Sequence, residues 1–493
     1  MPDPFARIRE ALDESLFVEA GAGTGKTKAL VDRLVALVQS GVPIAEIVAT
    51  TFTEKAAAEL KERVRSELER LRAIGDADGR LARALASLDA APISTIHAFA
   101  GGLVRSFAPE GGVDPDYSVI DEVTAGRRFQ QRWRERLEHL GGDEGARAAF
   151  ARVLRLGLLP GNIETLAFDL WLRPDMARVA LASDAGDAVA WPDLTAWRDE
   201  LRRIPIDDKP VDDPLGIRLK KVRDLLDLLL VADINEREAL LAGSGLAGLK
   251  FGVSNQAVWG PGKRAISALG EEIRDGLAPV LAGLREQALR AILPWVAQFV
   301  LDERDARCRE GALTFDDLIS IARDLVTTDG GVRARLRRRY RCFLIDEFQD
   351  TDPWQFDIAR AFATDPVSGA VESGRLFLVG DPKQSIYRFR NADMAIYNEA
   401  RNVVTGGGDH VLLDESRRTL PAILAWVNEV FTRLFAGADP AVSPAYQPMT
   451  AVRDETPRGH HIAAIGNVLD LKAAETRRLE TLHVAATCQA VVR

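Results

Sequence analysis

The string AGAGTGKT, Ala20 to Thr27, constrains the fold of this 493-residue chain more than any other stretch. It follows the apolar run Leu16 to Val18 and precedes Leu30, Val31, Leu34, Val35, Leu37 and Val38, which recur at helical spacing. Glycines at 21, 23 and 25 let backbone N–H groups turn toward phosphate oxygens without Cβ clashes, and the following helix start adds a favourable dipole. In this strand, loop and helix context, Ala20, Gly21, Ala22, Gly23, Thr24, Gly25, Lys26 and Thr27 are the expected phosphate cradle. Lys26 would reach the β- and γ-phosphates, and Thr27 would offer its hydroxyl to Mg²⁺. Ala20 stands where the strict pattern has glycine. The bland alternative is a glycine-rich turn with a chance Gly-Lys-Thr.

A second unit repeats the pattern, with a strand at Ile47 to Phe52 followed by Leu60, Val64, Leu68 and Leu71 at helical spacing. Alternation of this kind predicts an α/β fold, a parallel sheet with helices on both faces. Two further strands are predicted much later, at Cys342 to Ile345 and Leu376 to Val379. The sheet domain is therefore expected over 1–122 plus 311–393, interrupted by a mostly helical insertion at 123–310 that is rich in Leu, Ala, Arg and Asp. Helical patterns at Leu219 to Leu230 and Leu281 to Leu301 support that reading, and prolines at 205, 210 and 214 mark loops.

Length alone suggests roughly three domains at about 150 residues each. A hydrophobic fraction of 47% and a charged fraction of 28% place the chain among globular proteins. Its apolar runs are too short to span a bilayer, and MPDPFARIRE lacks an apolar signal core, so a cytoplasmic protein is expected. Cys308, Cys342 and Cys488 form no C-x-x-C pair, which argues against a zinc ribbon, a disulfide framework or an iron–sulfur cluster. With a net charge of -9, any nucleic-acid contact must be local. The run Arg333 to Arg341 could touch phosphates, or simply be the solvated face of a helix.

The stretch LIDEFQDTD, Leu344 to Asp352, ends a buried strand in two adjacent carboxylates. Asp346 can complete a magnesium shell begun by Thr27, and Glu347 can orient or deprotonate an attacking water. A solvated acidic turn is the alternative. Together the two motifs imply hydrolysis of ATP with Mg²⁺ as cofactor.

Phe348, Gln349, Asp350, Thr351, Pro353 and Gln355 continue that string in a pattern that resembles motif II of UvrD/RecB-type superfamily I DNA helicases. Other strings resemble the same family. TTFTEKAAAELKERV, Thr50 to Val64, is similar to motif Ia, and the resemblance places Phe52 and Thr53 near single-stranded DNA. STIHAF, Ser94 to Phe99, resembles the next DNA-contacting motif, with His97 and Phe99 as candidates, although His97 could equally be a core histidine. LVGDPKQSIYRFRNAD, Leu378 to Asp393, resembles motif III. There Gln384 matches the γ-phosphate sensor, while Tyr387, Phe389 and Arg390 match positions that reach DNA or bridge to a second lobe. Tyr387 and Phe389 could also be core. LDESRRTLP, Leu413 to Pro421, resembles motif IV, so Arg418 matches the arginine that reaches the γ-phosphate and Arg417 stands where an aromatic stacks on adenine. A surface arginine pair is the alternative.

The GDPKQSIYRFR form is closer to RecB- and AddA-like subunits of helicase–nucleases than to the UvrD-like GDDDQSIYGWR form, and LTFDDLI at Leu313 to Ile319 agrees. The resemblance implies a RecA-like first lobe, an incomplete second lobe at 394–493, and 3′ to 5′ movement on single-stranded DNA in repair or recombination. It also implies a possible helicase–nuclease partner subunit. PDPFARIRE lacks the family's adenine-reading glutamine, so ATP over GTP is not fixed. No motif V or VI follows motif IV, and a chain truncated there is expected: a fragment, a split subunit or a decayed gene product. A non-motor, nucleotide- and DNA-binding scaffold subunit is the alternative function.

Overall fold

The computed structural model describes residues 3–184, 186–253, 256–385, 394–437 and 444–454, together with 475, 477–482 and 484. The chain divides into two compact units, Met1–Phe107 with Ile321–Arg493, and Ala108–Ser320. The described strands are β1 (Leu16–Ala20), β2 (Ile47–Thr51), β3 (Ile93–Thr95), β4 (Ser118–Val119), β5 (Ala312–Leu313), β6 (Cys342–Ile345), β7 (Leu376–Gly380), β8 (Val411–Leu413), β9 (Glu415–Ser416) and β10 (Thr450–Ala451).

The first unit is built on a six-stranded sheet in the order β3-β2-β6-β7-β1-β8. Every pairing in it is parallel, as in Val18 with Val379, Thr50 with Ile345 and Ala20 with Leu413. The fold is a P-loop, RecA-like parallel sheet. β1 and β7 are buried along their whole length, as strands covered on both faces must be. One covering layer is made by the helices Lys26–Gln39 and Glu54–Ile74, whose Leu30, Leu34, Leu60, Val64 and Leu68 are buried. The expected boundary at 393/394 falls inside this sheet. Helix Met394–Thr405 packs on β1, and β8 hydrogen-bonds to it, so these residues complete the first lobe.

The second unit is helical. Its long helix, Lys263–Arg309, buries Leu269, Ile273, Leu277, Val280, Leu284, Ala288, Ile292 and Val296 at intervals of three or four residues, and continues through Pro279 and Pro294. Shorter helices before it in sequence supply the rest of the core, including Val153, Ile163, Leu201, Leu219 and Leu226. The unit is wider than the 123–310 span expected from sequence, because β4 pairs with β5 within it. A buried charge group closes one end of the long helix. Arg307 makes a bidentate pair with Asp317 at 2.9 and 2.8 Å and also meets Glu303, which accepts a 2.9 Å bond from the Trp171 indole. Among the described residues, no helix is long and apolar enough to cross a membrane.

One polar residue fixes the N-terminal helix Pro4–Glu10 to the first unit. Arg33, fully buried in helix Lys26–Gln39, donates to the carbonyls of Ile8, Ala11, Leu12 and Glu14 at 3.2, 2.6, 3.3 and 2.7 Å. Burial lowers its pKa to about 10, which leaves the guanidinium charged at neutral pH. Removing it takes a charged donor from four carbonyls around a helix end, of which Ala11 O keeps Glu14 N–H at 3.2 Å, and buried bonds to a charged donor contribute about 1.5 to 3 kcal/mol each before relaxation. Arg33→Leu should therefore lower stability by about 2 to 4 kcal/mol, measured as a fall in the urea midpoint. An unchanged midpoint would show that the carbonyls find other partners.

Candidate nucleotide site

In a parallel sheet all strand C-termini share one edge, and ligands gather there. β1 ends there at Ala20 and runs into the expected cradle, which leads directly into helix Lys26–Gln39. Gly23 and Gly25 have φ of 79° and 105°, the left-handed backbone that a side chain resists. Thr24 is buried, and its hydroxyl donates to Gly21 O at 2.8 Å, closing the loop on itself.

β6 ends beside this loop, delivering Asp346 and Glu347. Asp346 N–H donates to Thr50 O at 2.9 Å, which extends the β2–β6 pairing by one residue. Glu347 has φ of 49°, the one positive value for a non-glycine among the described residues. Such a conformation costs about 1 to 3 kcal/mol and persists where its surroundings enforce it. Glu347 N–H donates to Asp346 Oδ1 at 2.9 Å, and Glu347 Oε2 lies 2.7 Å from Lys26 Nζ. The same lysine lies 3.3 Å from Gln384 Oε1. Three distant strings, ending β1, β6 and β7, thus meet at one ammonium.

Gln349 braces the arrangement. Its Nε2 donates to Glu347 Oε2 at 2.8 Å, and its Oε1 accepts from Asp381 N–H at 2.9 Å. A Cβ on Gly380 would stand 2.8 Å from that oxygen, so the end of β7 must be glycine for the brace to fit. Neither Gln349 nor Asp381 is among the residues assigned a role from sequence, since a lone amide and a turn aspartate carry no chemical signature of their own.

The carboxylates crowd one another. Burial first, and then the neighbouring Glu347 charge, push Asp346 up to about 6. The same two causes raise Asp350 to about 6. Asp350 Oδ1 is buried with no hydrogen-bond partner, while Oδ2 receives Gln349 Nε2 at 3.3 Å. Among the described residues, no three His, Cys, Asp or Glu side chains gather around a cation position. One half-buried carboxylate, Asp346, and the Thr27 hydroxyl fit Mg²⁺, which keeps several waters and takes phosphate oxygens, better than a metal held in an all-protein cage.

The chain beyond β8 runs along the other side of the loop. Arg417 N–H donates to Gly23 O at 3.0 Å, and a Cβ on Gly23 would meet Arg418 Cβ at 2.6 Å. Arg417 and Arg418 are both exposed beside the cradle. The Arg417 guanidinium lies over the Phe5 ring at 5.7 Å, and Phe5 itself packs against Gly25. Met449, from the segment that pairs as β10 with β9, rests on Gly21, and Asn428 holds that segment by bonds to Met449 O and N–H at 2.8 and 3.1 Å. Phe5, Met449 and Asn428 are absent from the sequence-based set, because an apolar contact to a glycine loop has no spacing to betray it.

The expected DNA positions divide. Phe52 and Thr53 lie just past β2 on the same sheet edge, Phe52 exposed and Thr53 capping the next helix by accepting Ala56 N–H at 3.1 Å. Thr95, paired with Thr51 across β2–β3, donates to Glu54 Oε1 at 2.7 Å, which ties the two motifs together. His97 is half-buried in the first turn of helix Ile96–Ser106. Phe99 is buried, its ring edge-on to Phe343 at 5.3 Å and near Tyr340. That packing makes Phe99 a support of the sheet and withdraws its ring from the exposed edge. Tyr387, Phe389 and Arg390 lie outside the described residues.

The UvrD/REP helicase N-terminal domain family matches residues 5–153 and 292–405. The chain is 28% identical to RecBCD enzyme subunit RecB of Escherichia coli (strain K12), over 86% of its own length and 38% of that protein. It is 24% identical to an ATP-dependent helicase/nuclease subunit of Ligilactobacillus salivarius, with the same two coverages, and 27% identical to the like-named protein of Syntrophomonas wolfei. The chain thus spans well under half the length of the curated relatives it matches.

A raised carboxylate pKa means that the protonated form favours the folded state. The stability it confers is complete below about pH 4 and is lost as pH rises through about 6. Asp350→Asn removes that loss at one of the two positions. In the metal-free protein its Tm should match wild type at pH 4 and exceed it by a few degrees at pH 8. Parallel Tm profiles across that range would show that Asp350 is not strained by its neighbours.

Proposed function

The chain belongs to the UvrD/REP helicase N-terminal domain family, and on that footing we propose that it is the nucleotide-binding part of a cytoplasmic, ATP-dependent DNA helicase. In this reading it couples ATP hydrolysis to 3′ to 5′ movement on single-stranded DNA during repair or recombination, alongside a helicase–nuclease partner subunit. The names of its relatives, helicase/nuclease subunits and a component of RecBCD, support that setting. The single observation that carries the reading is the convergence of Glu347 and Gln384 on Lys26 at 2.7 and 3.3 Å.

The chemistry follows from charge. Phosphoryl transfer needs positioning and neutralisation more than covalent help. The cradle N–H groups and Lys26 would take the β- and γ-phosphates. Lys26 then exchanges one oxyanion partner, Glu347, for another, so the site binds nucleotide without leaving an unpaired buried charge. Glu347, released but still held by Gln349 at 2.8 Å, is free to orient the attacking water and receive its proton. Thr27 and Asp346 would hold Mg²⁺, which when bound neutralises charge on the phosphate oxygens. Gln384, in contact with Lys26, moves with the γ-phosphate and reports its presence. Arg418 would meet the charge that develops on the transferred phosphoryl group, a contribution of roughly 10³ to 10⁵ in rate for arginines of this kind. Arg417 offers a guanidinium plane for the base to stack on. Phe52, Thr53 and His97 would contact single-stranded DNA, Phe52 by base stacking that tolerates any sequence, and Tyr387, Phe389 and Arg390 are assigned to the same path from the family pattern alone.

Steady-state ATPase assays at fixed salt, with and without single-stranded DNA, test this. Turnover should rise on adding DNA, and Glu347→Gln should cut stimulated turnover by about 100-fold or more while MgATP still binds. Lys26→Ala should abolish nucleotide binding. Equal turnover in wild type and Glu347→Gln would contradict the proposal. Tight MgATP binding by wild type with no turnover would favour a non-motor nucleotide- and DNA-binding subunit.

A further inference from the structure

Behind the nucleotide site lies a buried charge cluster that the proposed chemistry does not use. Lys383, in the turn Pro382–Gln384, places Nζ 3.1 Å from Asp381 Oδ1 and 3.6 Å from Glu19 Oε1. Glu19 is the residue of β1 immediately before the cradle, and its other oxygen lies 3.5 Å from His410 Nε2. The side chains are 12%, 2% and 10% exposed for Lys383, Asp381 and Glu19. Burial would raise the Glu19 carboxyl, but the His410 contact and the Lys383 charge outweigh it and hold it below the usual range. Two buried carboxylates, Glu19 and Asp381, thus share one cation, Lys383, which lies within reach of both.

The consequence falls on Gln384. An amide has a donor end and an acceptor end, and only its neighbours decide which way it faces. Asp381 divides its oxygens: Oδ1 takes Lys383 Nζ and the Lys383 N–H, and Oδ2 accepts Gln384 Nε2 at 2.7 Å. With Nε2 committed there, Oε1 is the end that meets Lys26 at 3.3 Å. A reversed amide would set its NH₂ against an ammonium. Lys383, engaging Oδ1 through both its Nζ and its backbone N–H, holds the Asp381 carboxylate in the orientation that leaves Oδ2 to the amide.

We propose that Lys383 is a positioning residue for the nucleotide site: through Asp381 it fixes which end of the Gln384 amide faces Lys26, and through Glu19 it ties that turn to the strand feeding the phosphate loop. The proposal rests on the ATPase reading given above. It touches the step that reads the γ-phosphate, so it acts on turnover more than on nucleotide capture.

The test is a double-mutant cycle of steady-state ATPase on the full chain with single-stranded DNA, with Tm measured for each variant. Lys383→Met should lower kcat by about tenfold or more with KM within about threefold of wild type, and Lys383→Arg should restore most of the loss. In a Gln384→Ala background, adding Lys383→Met should change kcat by less than about twofold, because the group it positions is gone. General structural damage would instead multiply the two losses. Wild-type kcat in Lys383→Met, or multiplicative losses in the cycle, would overturn this inference alone. A wild-type chain that neither binds nor hydrolyses MgATP would overturn the ATPase reading and this inference with it.

Discussion

The contact between Lys26 and Glu347 is the interaction around which the nucleotide site of the first unit is arranged. It joins the loop after β1 to the strand end of β6, with β7 between them in the sheet. A lysine and a carboxylate brought this close in a partly buried place are each the other's compensation, and removing either leaves a charge that burial penalises. The surrounding features read as what is needed to hold the pair. Glu347 adopts a left-handed backbone that turns its side chain back toward the loop. Gln349 and Gly380 fit against each other to brace it, and Asp381 extends the brace to Gln384. The site is therefore one hydrogen-bonded circuit whose members come from three strand ends, and a conformational strain at Glu347 is tolerated because several bonds enforce it.

Much of this was legible in the sequence, for physical reasons. Strands buried on both faces are continuous apolar runs, so β1, β2, β6 and β7 stand out, and the helices after β1 and β2 announce themselves by periodicity. β3 and β8 escape notice because three residues carry no periodicity. β8 returns the chain to the edge of the sheet beside β1. Lys26, Glu347 and Gln384, singled out by their strings, lie together in the structure. Those that work through another residue were not singled out, and Lys383, Gln349, Asp381 and Phe5 gain meaning only from what they touch. Phe99, a motif position in the sequence, packs its ring against Phe343.

The second unit is legible mainly as architecture. Its long helix runs through two prolines, and its buried residues recur on a face that belongs to the core of the unit. The Arg307, Asp317 and Glu303 group shows how a charged pair is kept inside it, with a bidentate guanidinium and an indole donor satisfying the carboxylates. The Arg-rich run before β6 is likewise structural in part, since Arg337 caps the carbonyl of Phe362 at 3.0 Å and meets Glu372.

The central claim is that Lys26 exchanges Glu347 for phosphate when nucleotide binds. A crystal structure of the chain with Mg²⁺ and a non-hydrolysable ATP analogue tests it directly. The account predicts Lys26 Nζ on a β- or γ-phosphate oxygen, Glu347 released toward a water in line with the γ-phosphorus, and Gln384 Oε1 still facing the lysine. Nucleotide bound elsewhere while Lys26 stays 2.7 Å from Glu347 would contradict it.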